Sequence, residues 1–184
     1  VLGFIDDDKS LHGDLIDGFS VLGGLNWIEK NYQKSISCVI AIGDSLKKKE
    51  IVNQLKKIEP TYTTIIHPTV ISSKSITIGE GTIIQAGTIM TINIVIGKHV
   101  HLNIDSTVGH DTVIEDYVTI NPGVHINGKT TIGSSTYVGT GVVMKQEIKI
   151  GSESIIGAGA VLLENVPEKS LYAGVPAKLK RKIK

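Results

Sequence analysis

IVIGKHVHLNIDSTVGHDTVIEDYVTI, residues 94–120, carries an aliphatic residue at every sixth position: Ile96, Leu102, Val108, Ile114 and Ile120. Extended outward, the rule holds from Ile78 to Leu162 for fifteen consecutive positions, with methionine at 90 and 144 and no insertion. The residue two before each anchor is small or β-branched, as in Val100, Ser106, Thr112 and Val118. Glycine follows the anchor at 79, 97, 109, 133, 139, 151 and 157. An amphipathic helix cannot hold a strict period of six, because 3.6 residues per turn carries the apolar stripe around its surface. A flat strand has period two and needs a stop between runs. A β-sandwich would space its turns irregularly. Short strands wound into a solenoid, with one inward anchor per side, satisfy the period.

Three hexads make a triangular coil. Reading every eighteenth residue gives three ladders: Ile78, Ile96, Ile114, Ile132, Ile150; then Ile84, Leu102, Ile120, Val138, Ile156; then the irregular one, Met90, Val108, Ile126, Met144, Leu162. Coils stacked about 4.8 Å apart place like side chains on like. Asn103 and Asn121 should stack as well. Residues 66–166 therefore read as a parallel β-helix of about five and a half coils.

Composition is unremarkable. The formal net charge of +1 over 184 residues steers the chain toward no nucleic acid. The single cysteine, Cys38, lies in an apolar run and reads as a core residue, with no intrachain disulfide possible. There is no run of 18 apolar residues for a membrane span, and no signal-peptide pattern, so a cytoplasmic location is expected. The tail from Lys178 to Lys184 reads as solvated.

Before the repeats, residues 1–65 read as a small α/β domain. VLGFI (1–5) opens the chain inside a strand and is followed by Asp6, Asp7 and Asp8. SVLGG (20–24) is a short strand and turn, 25–32 a short helix, and SCVIAI (37–42) a buried strand stopped by Gly43. Asp44 or Ser45 can cap a helix over 46–58, and a third strand covers 62–66. In a parallel arrangement the ligand side is the C-terminal strand ends, where Asp6, Asp7 and Gly43 stand.

The hexads resemble those of the hexapeptide-repeat acyltransferases, whose β-helix is left-handed. The general rule for parallel connections would favour a right-handed crossover. With GFIDDD, VLGG, AIGD, IIHPTVIS, GHD (109–111) and AGVPAK (173–178), nearly the whole chain resembles the sialic-acid O-acetyltransferase / UDP-amino-sugar N-acetyltransferase family. That resemblance implies acetyl-CoA as co-substrate, a nucleotide sugar as acceptor, a homotrimer with sites between subunits and no metal. It places a glycine-rich strand–turn–helix loop before Val1, helping to hold uridine. Asp6, Asp7 and Gly43 become the candidate sugar-nucleotide residues.

His110 follows Val108-Gly109 at the end of a coil side, so its side chain should project from a corner. Acetyl transfer needs a base to take the proton of the attacking amine or hydroxyl, and imidazole titrates in the right range. A carboxylate bonded to the ring fixes its tautomer. The family places an acid directly after the histidine, and Asp111 stands there. Gly128, 18 residues on, lies one coil above. Its lack of a side chain would let acetyl-CoA approach a main-chain N–H able to stabilise the developing oxyanion, and the matching glycine of the family touches the acetyl end. Gly139, Thr140, Gly141, Ala158 and Gly159 are the candidates for lining the pantetheine arm. Thr119 departs from the pattern, since the family often has histidine nine residues beyond the base.

Gamma-class carbonic anhydrases share the repeat and bind zinc through histidines. Here His99, His101, His110 and His125 include no two that are 18 apart, so none stack. His67, before Pro68, reads as a turn or cap residue, and His12 lies in a loop that could border a sugar. Residues 167–184 should close the last coil, with a short helix from Ala177. The sequence thus points to N-acetylation of a UDP-4-amino-4,6-dideoxy sugar for surface glycan or glycoprotein assembly. The alternatives are O-acetylation of sialic acid or another sugar, and a non-catalytic scaffold.

Overall fold

The computed structural model covers residues 1–184. The chain forms two compact units, one of Val1–Cys38 with Ile51–Thr61, the other of Val39–Glu50 with Tyr62–Lys184.

In the first unit, Phe4–Ile5 pairs in parallel with Phe19–Gly23, which also pairs antiparallel with Leu15–Ile16. The sheet is therefore mixed, where an all-parallel one was expected. The reason is the Asp17-Gly18 pair, which takes positive φ of 48° and 80° and closes a hairpin. Helix α1 (Leu25–Asn31) follows and buries Ile28. Helix α2 (Ser45–Leu55) places its last turns here, with Ile51 and Leu55 buried. The strand expected over 37–42 shortens to Ser37–Cys38. Cys38 is half-buried, and burial pushes its thiol pKa up.

The second unit is a left-handed β-helix with three faces. The first face runs through Ile65–Ile66, Ile83–Ile84, His101–Leu102, Thr119–Ile120, Tyr137–Val138 and Ile155–Ile156. The second holds Ile71–Ser72, Ile89–Met90, Thr107–Val108, His125–Ile126, Val143–Met144 and Val161–Leu162. The third holds Ile76–Ile78, Ile94–Ile96, Val113–Ile114, Thr131–Ile132 and Lys149–Ile150. Strand pairing on all three is parallel, each residue facing the one 18 further on. The three anchor ladders point inward, and Leu102, Ile114, Ile120, Ile132, Val138 and Ile156 are wholly buried.

The corners follow a second rule of six. Positions 81, 87, 93 and every sixth onward to 159 have positive φ, from 53° to 74°. Five of these fourteen are glycine; the others are Asn, His, Asp, Tyr, Lys, Ser or Glu, and none is β-branched. A β-branched side chain in the left-handed region is an outlier, whereas Asn and Asp tolerate it. The residue two before each anchor is small because it fills the inside of the corner. Its hydroxyl, where present, bonds a carbonyl one coil up, as Thr82 Oγ1 does to Gly97 O at 2.9 Å and Thr136 Oγ1 to Gly151 O at 3.1 Å. Asn103 and Asn121 stack and each donates Nδ2 to the next coil, to Ile120 O and Val138 O at 2.8 Å.

The helix expected from Ala177 is instead a strand, Lys178–Lys182, antiparallel to Ser170–Ala173 at the end of the first face. The last coil would otherwise leave a row of unpaired backbone groups, and the returning chain satisfies them while presenting lysines outward. Because the ladders have no slack, Ile120→Ala should destabilise the second unit by about 2–5 kcal/mol. A denaturation midpoint unchanged from wild type would contradict this packing.

Candidate active site

His110 and Asp111 occupy the corner between the second and third faces. The corner is pinned to both adjacent coils. Gly109 N–H donates to Ile126 O at 2.7 Å, Asp111 N–H to Ile92 O at 3.1 Å, and Lys129 N–H to His110 O at 2.7 Å. Asp111 takes the left-handed conformation, with φ 56°. Its carboxylate Oδ2 lies 2.8 Å from His110 Nδ1, and its Oδ1 accepts from Asn93 Nδ2 at 3.2 Å. These two bonds, that from His110 first, hold the Asp111 pKa below its usual value. With the Nδ1 proton given to the carboxylate, Nε2 presents its lone pair as an acceptor. Both side chains are about half exposed, at 52% and 46%. The pair faces solvent and is open to a substrate.

Gly128 does lie one coil above, and the space beside it is filled by the His110 ring. A Cβ there would stand 2.5 Å from Nε2. The glycine is required by the imidazole, whatever else approaches it.

Gly139, Thr140, Gly141, Ala158 and Gly159 lie at the corner between the first and second faces. Within one chain they are not brought together with His110. Gly139 is demanded by coil stacking, since a Cβ would meet Ala158 N at 2.6 Å. Gly141 and Gly159 have φ of 69° and 67° and open space where a Cβ would stand, and Thr140 and Ala158 are exposed. This corner offers an accessible surface.

In the first unit, Asp6 Oδ1 accepts from Asp8 N–H at 2.8 Å, and the Asp6 carbonyl lies 2.8 Å from His12 Nε2. Asp7 Oδ1 accepts from Leu25 N–H at 2.9 Å, at the first turn of α1. Part of the aspartate cluster is therefore structural. Gly43 belongs to the second unit and lines a groove of about 520 Å³ with Asp44, Ser45, Asn121, Tyr137 and Ile155. Tyr137 and Ser135 of this groove were not singled out from sequence. They sit on unremarkable hexad positions, and only the placement of the 43–46 segment beside them makes a groove.

The remaining histidines have structural surroundings. His99 is buried, stacked on Tyr117 at 5.5 Å and 4°, with Tyr62 edge-on at 4.5 Å. His101 Nε2 bonds Ile40 O at 2.8 Å, which draws the 39–44 segment out of any ladder. His125 Nδ1 pairs with Thr107 Oγ1 at 2.9 Å, and His67 Nδ1 accepts from Thr69 N–H at 3.2 Å within its turn. No three His, Cys, Asp or Glu side chains are grouped to hold a metal ion. Thr119, at the site of the family's second histidine, is buried and receives the Lys48 amine at 3.0 Å, while Val118 O receives it at 3.3 Å.

A three-sided repeat fold with an exposed histidine–aspartate pair on a corner is the geometry expected of a hexapeptide-repeat acyltransferase. Residues 1–55 match the PglD N-terminal domain family. WeeI from Acinetobacter baumannii AYE is 37% identical, covers 96% of this chain and is itself covered to 84%, with a TM-score of 0.89. The acetyltransferase domain of PglB from Neisseria gonorrhoeae FA1090 is 30% identical, with coverage of 96% and 85% and a TM-score of 0.90. PerB from Caulobacter crescentus, solved in complex with CoA and GDP-perosamine, is 26% identical, with coverage of 97% and 84% and a TM-score of 0.90. Among curated proteins no relative matches significantly. The chain belongs to the left-handed β-helix acetyltransferases, in the group of PglB, PerB and WeeI. No helix is long and apolar enough to cross a membrane.

Burial of Lys48 pushes its pKa from 10.5 down to about 7, against a smaller upward pull from Asp44. Burial, then the charge of Lys48, push His101 from 6.5 down to about 4. Both bases hold protons more weakly folded than unfolded, so the unfolded chain binds more protons within each window. The folded state therefore gains stability as pH rises, through about 4 to 6.5 by His101 and about 7 to 10.5 by Lys48. Lys48→Met should flatten the upper rise and shrink the lower one, of which the larger part, due to burial of His101, remains. Melting temperatures measured across pH 7 to 10 that climb equally in both proteins would refute the assignment.

Proposed function

We propose that this chain is an acetyl-CoA-dependent N-acetyltransferase acting on a nucleotide-linked amino sugar, of the UDP-4-amino-4,6-dideoxy class, in surface glycan or glycoprotein assembly. The observation that carries the reading is the His110 Nδ1–Asp111 Oδ2 contact of 2.8 Å on an exposed corner, which leaves Nε2 as a ready proton acceptor. Acetyl-CoA supplies the acyl group as a thioester. As the sugar amine bonds the acyl carbon, His110 Nε2 takes the proton the nitrogen must lose, and Asp111 balances the imidazolium charge. The proton then passes to the departing thiolate. Support for the two substrates comes from PerB, solved with CoA and GDP-perosamine, and from the PglB acetyltransferase domain, solved with acetyl coenzyme A. The groove beside Gly43, with Tyr137 in its wall, is assigned to the sugar nucleotide.

His110→Ala should lower kcat by about 10²–10⁴-fold with acetyl-CoA binding retained. Asp111→Ala should cost less, since it orients and does not accept the proton. Assays with acetyl-CoA and, in parallel, a UDP-4-amino sugar, a GDP-amino sugar and sialic acid identify the acceptor. Near-wild-type kcat for His110→Ala on the best of them would remove the reading.

The assembly proposed with it is a homotrimer with three sites. His110 and Gly128 lie on one corner of the prism, and the open glycines at 141 and 159 on another. The outward row between them, Ile71, Ile89, Thr107, His125, Val143 and Val161, is largely apolar. Apposition of two copies would set one subunit's base beside a neighbour's glycine corner and turn open faces into a cleft. Sedimentation is expected to give a trimer. A stable monomer with full activity would defeat this arrangement.

A further inference from the structure

We propose that Asn93 is a positioning residue for the catalytic pair: its carboxamide holds one oxygen of Asp111 so that the other stays on His110 Nδ1. The proposal rests on His110 being the base. Asn93 lies 18 residues before Asp111, one coil below it on the same corner, and both residues take the left-handed conformation, φ 54° and 56°. Asn93 Nδ2 donates to Asp111 Oδ1 at 3.2 Å, and Asp111 Oδ2 meets His110 Nδ1 at 2.8 Å. Asn93 is itself anchored from below, its backbone N–H donating to Ser75 Oγ at 3.2 Å. A four-residue relay, Ser75–Asn93–Asp111–His110, thus climbs the corner.

Its need follows from exposure. With nearly half its side chain in solvent, Asp111 would otherwise exchange among rotamers and with water, and its grip on imidazole would loosen. From the coil above, the Lys129 charge is the weakest of the influences that lower the Asp111 pKa. The donor to the second oxygen comes from Asn93. Position 93 also selects for backbone, because Asn accepts positive φ more readily than most residues. The two explanations are separable. Glycine takes the conformation with no side chain, and aspartate takes it with the shape of asparagine but no donor.

Asn93→Gly and Asn93→Asp are compared with wild type in two measurements. Steady-state kinetics should show kcat lower by about threefold to tenfold in both, a fraction of the whole contribution of a histidine base, with KM for acetyl-CoA little changed. The aspartate variant should be the worse, because two carboxylates then face each other. Nitrogen-15 chemical shifts of His110 in the resting protein should report the Nδ1–H tautomer in wild type and a mixture in both variants. A merely structural asparagine predicts wild-type behaviour for Asn93→Gly, which keeps the left-handed backbone and adds no charge. Wild-type kcat in that variant, or lost activity with an unchanged tautomer, would overturn the proposal. Should His110→Ala prove harmless, the base assignment fails, and the tautomer measurement still decides whether Asn93 sets the pair.

Discussion

The parallel hydrogen-bond ladder that repeats every 18 residues is the constraint on which the second unit depends. His101 N–H meets Val118 O at 2.9 Å, Thr119 N–H meets Thr136 O at 3.0 Å, and Tyr137 N–H meets Ser154 O at 2.9 Å. A ladder of this kind has no tolerance for a slip. One inserted residue would turn every later anchor outward. The uninterrupted hexad from Ile78 to Leu162 is the trace of that constraint. So is the left-handed residue at each corner, which lets sides of two or three paired residues close into a triangle.

The candidate active corner inherits its precision from this stack. His110 does not sit on a loop that must be ordered at a cost in entropy. The backbone of residues 109–111 is bonded to the coils above and below, and the His110 ring lies over Gly128. Residues that are far apart in sequence but 18 apart in count become vertical neighbours, as with Asn93 and Asp111. A regular solenoid thereby holds an imidazole rigidly at an exposed edge, the kind of support a proton-transferring group requires.

The segment around Lys48 shows the other way the prism is used. Its amine is buried against Val118 O and Thr119, and His101 holds the carbonyl of Ile40. These polar anchors fix the 39–50 segment on the first face and form the groove beside Gly43. They carry a desolvation cost that lysine and imidazole express as depressed pKa values. Where family members often carry histidine, this chain has Thr119 under Lys48, so that position serves docking.

Period alone determined a three-sided β-helix, its ladders, the stacking of Asn103 on Asn121 and the corner position of His110, while its left hand came from the family resemblance, against the general rule for parallel crossovers. The pairing of Asp111 with His110 was legible through the family resemblance, which places an acid directly after the histidine. Other features were not legible. The positive-φ rule at the corners hides behind varied side chains, since Asn, Asp, Lys, Glu and Tyr share only the lack of β-branching. The Leu15–Ile16 hairpin was signalled by Asp17-Gly18 and passed over, and the tail strand was masked by its lysines, which suit an edge strand as well as a solvated tail. That Gly128 houses the imidazole, that the 139–141 and 158–159 residues stand on a different corner, and that Asn93 reaches Asp111 were decided only by the tertiary structure. Each depends on which side chains face one another across a coil, a matter of direction in space that a one-dimensional repeat does not contain.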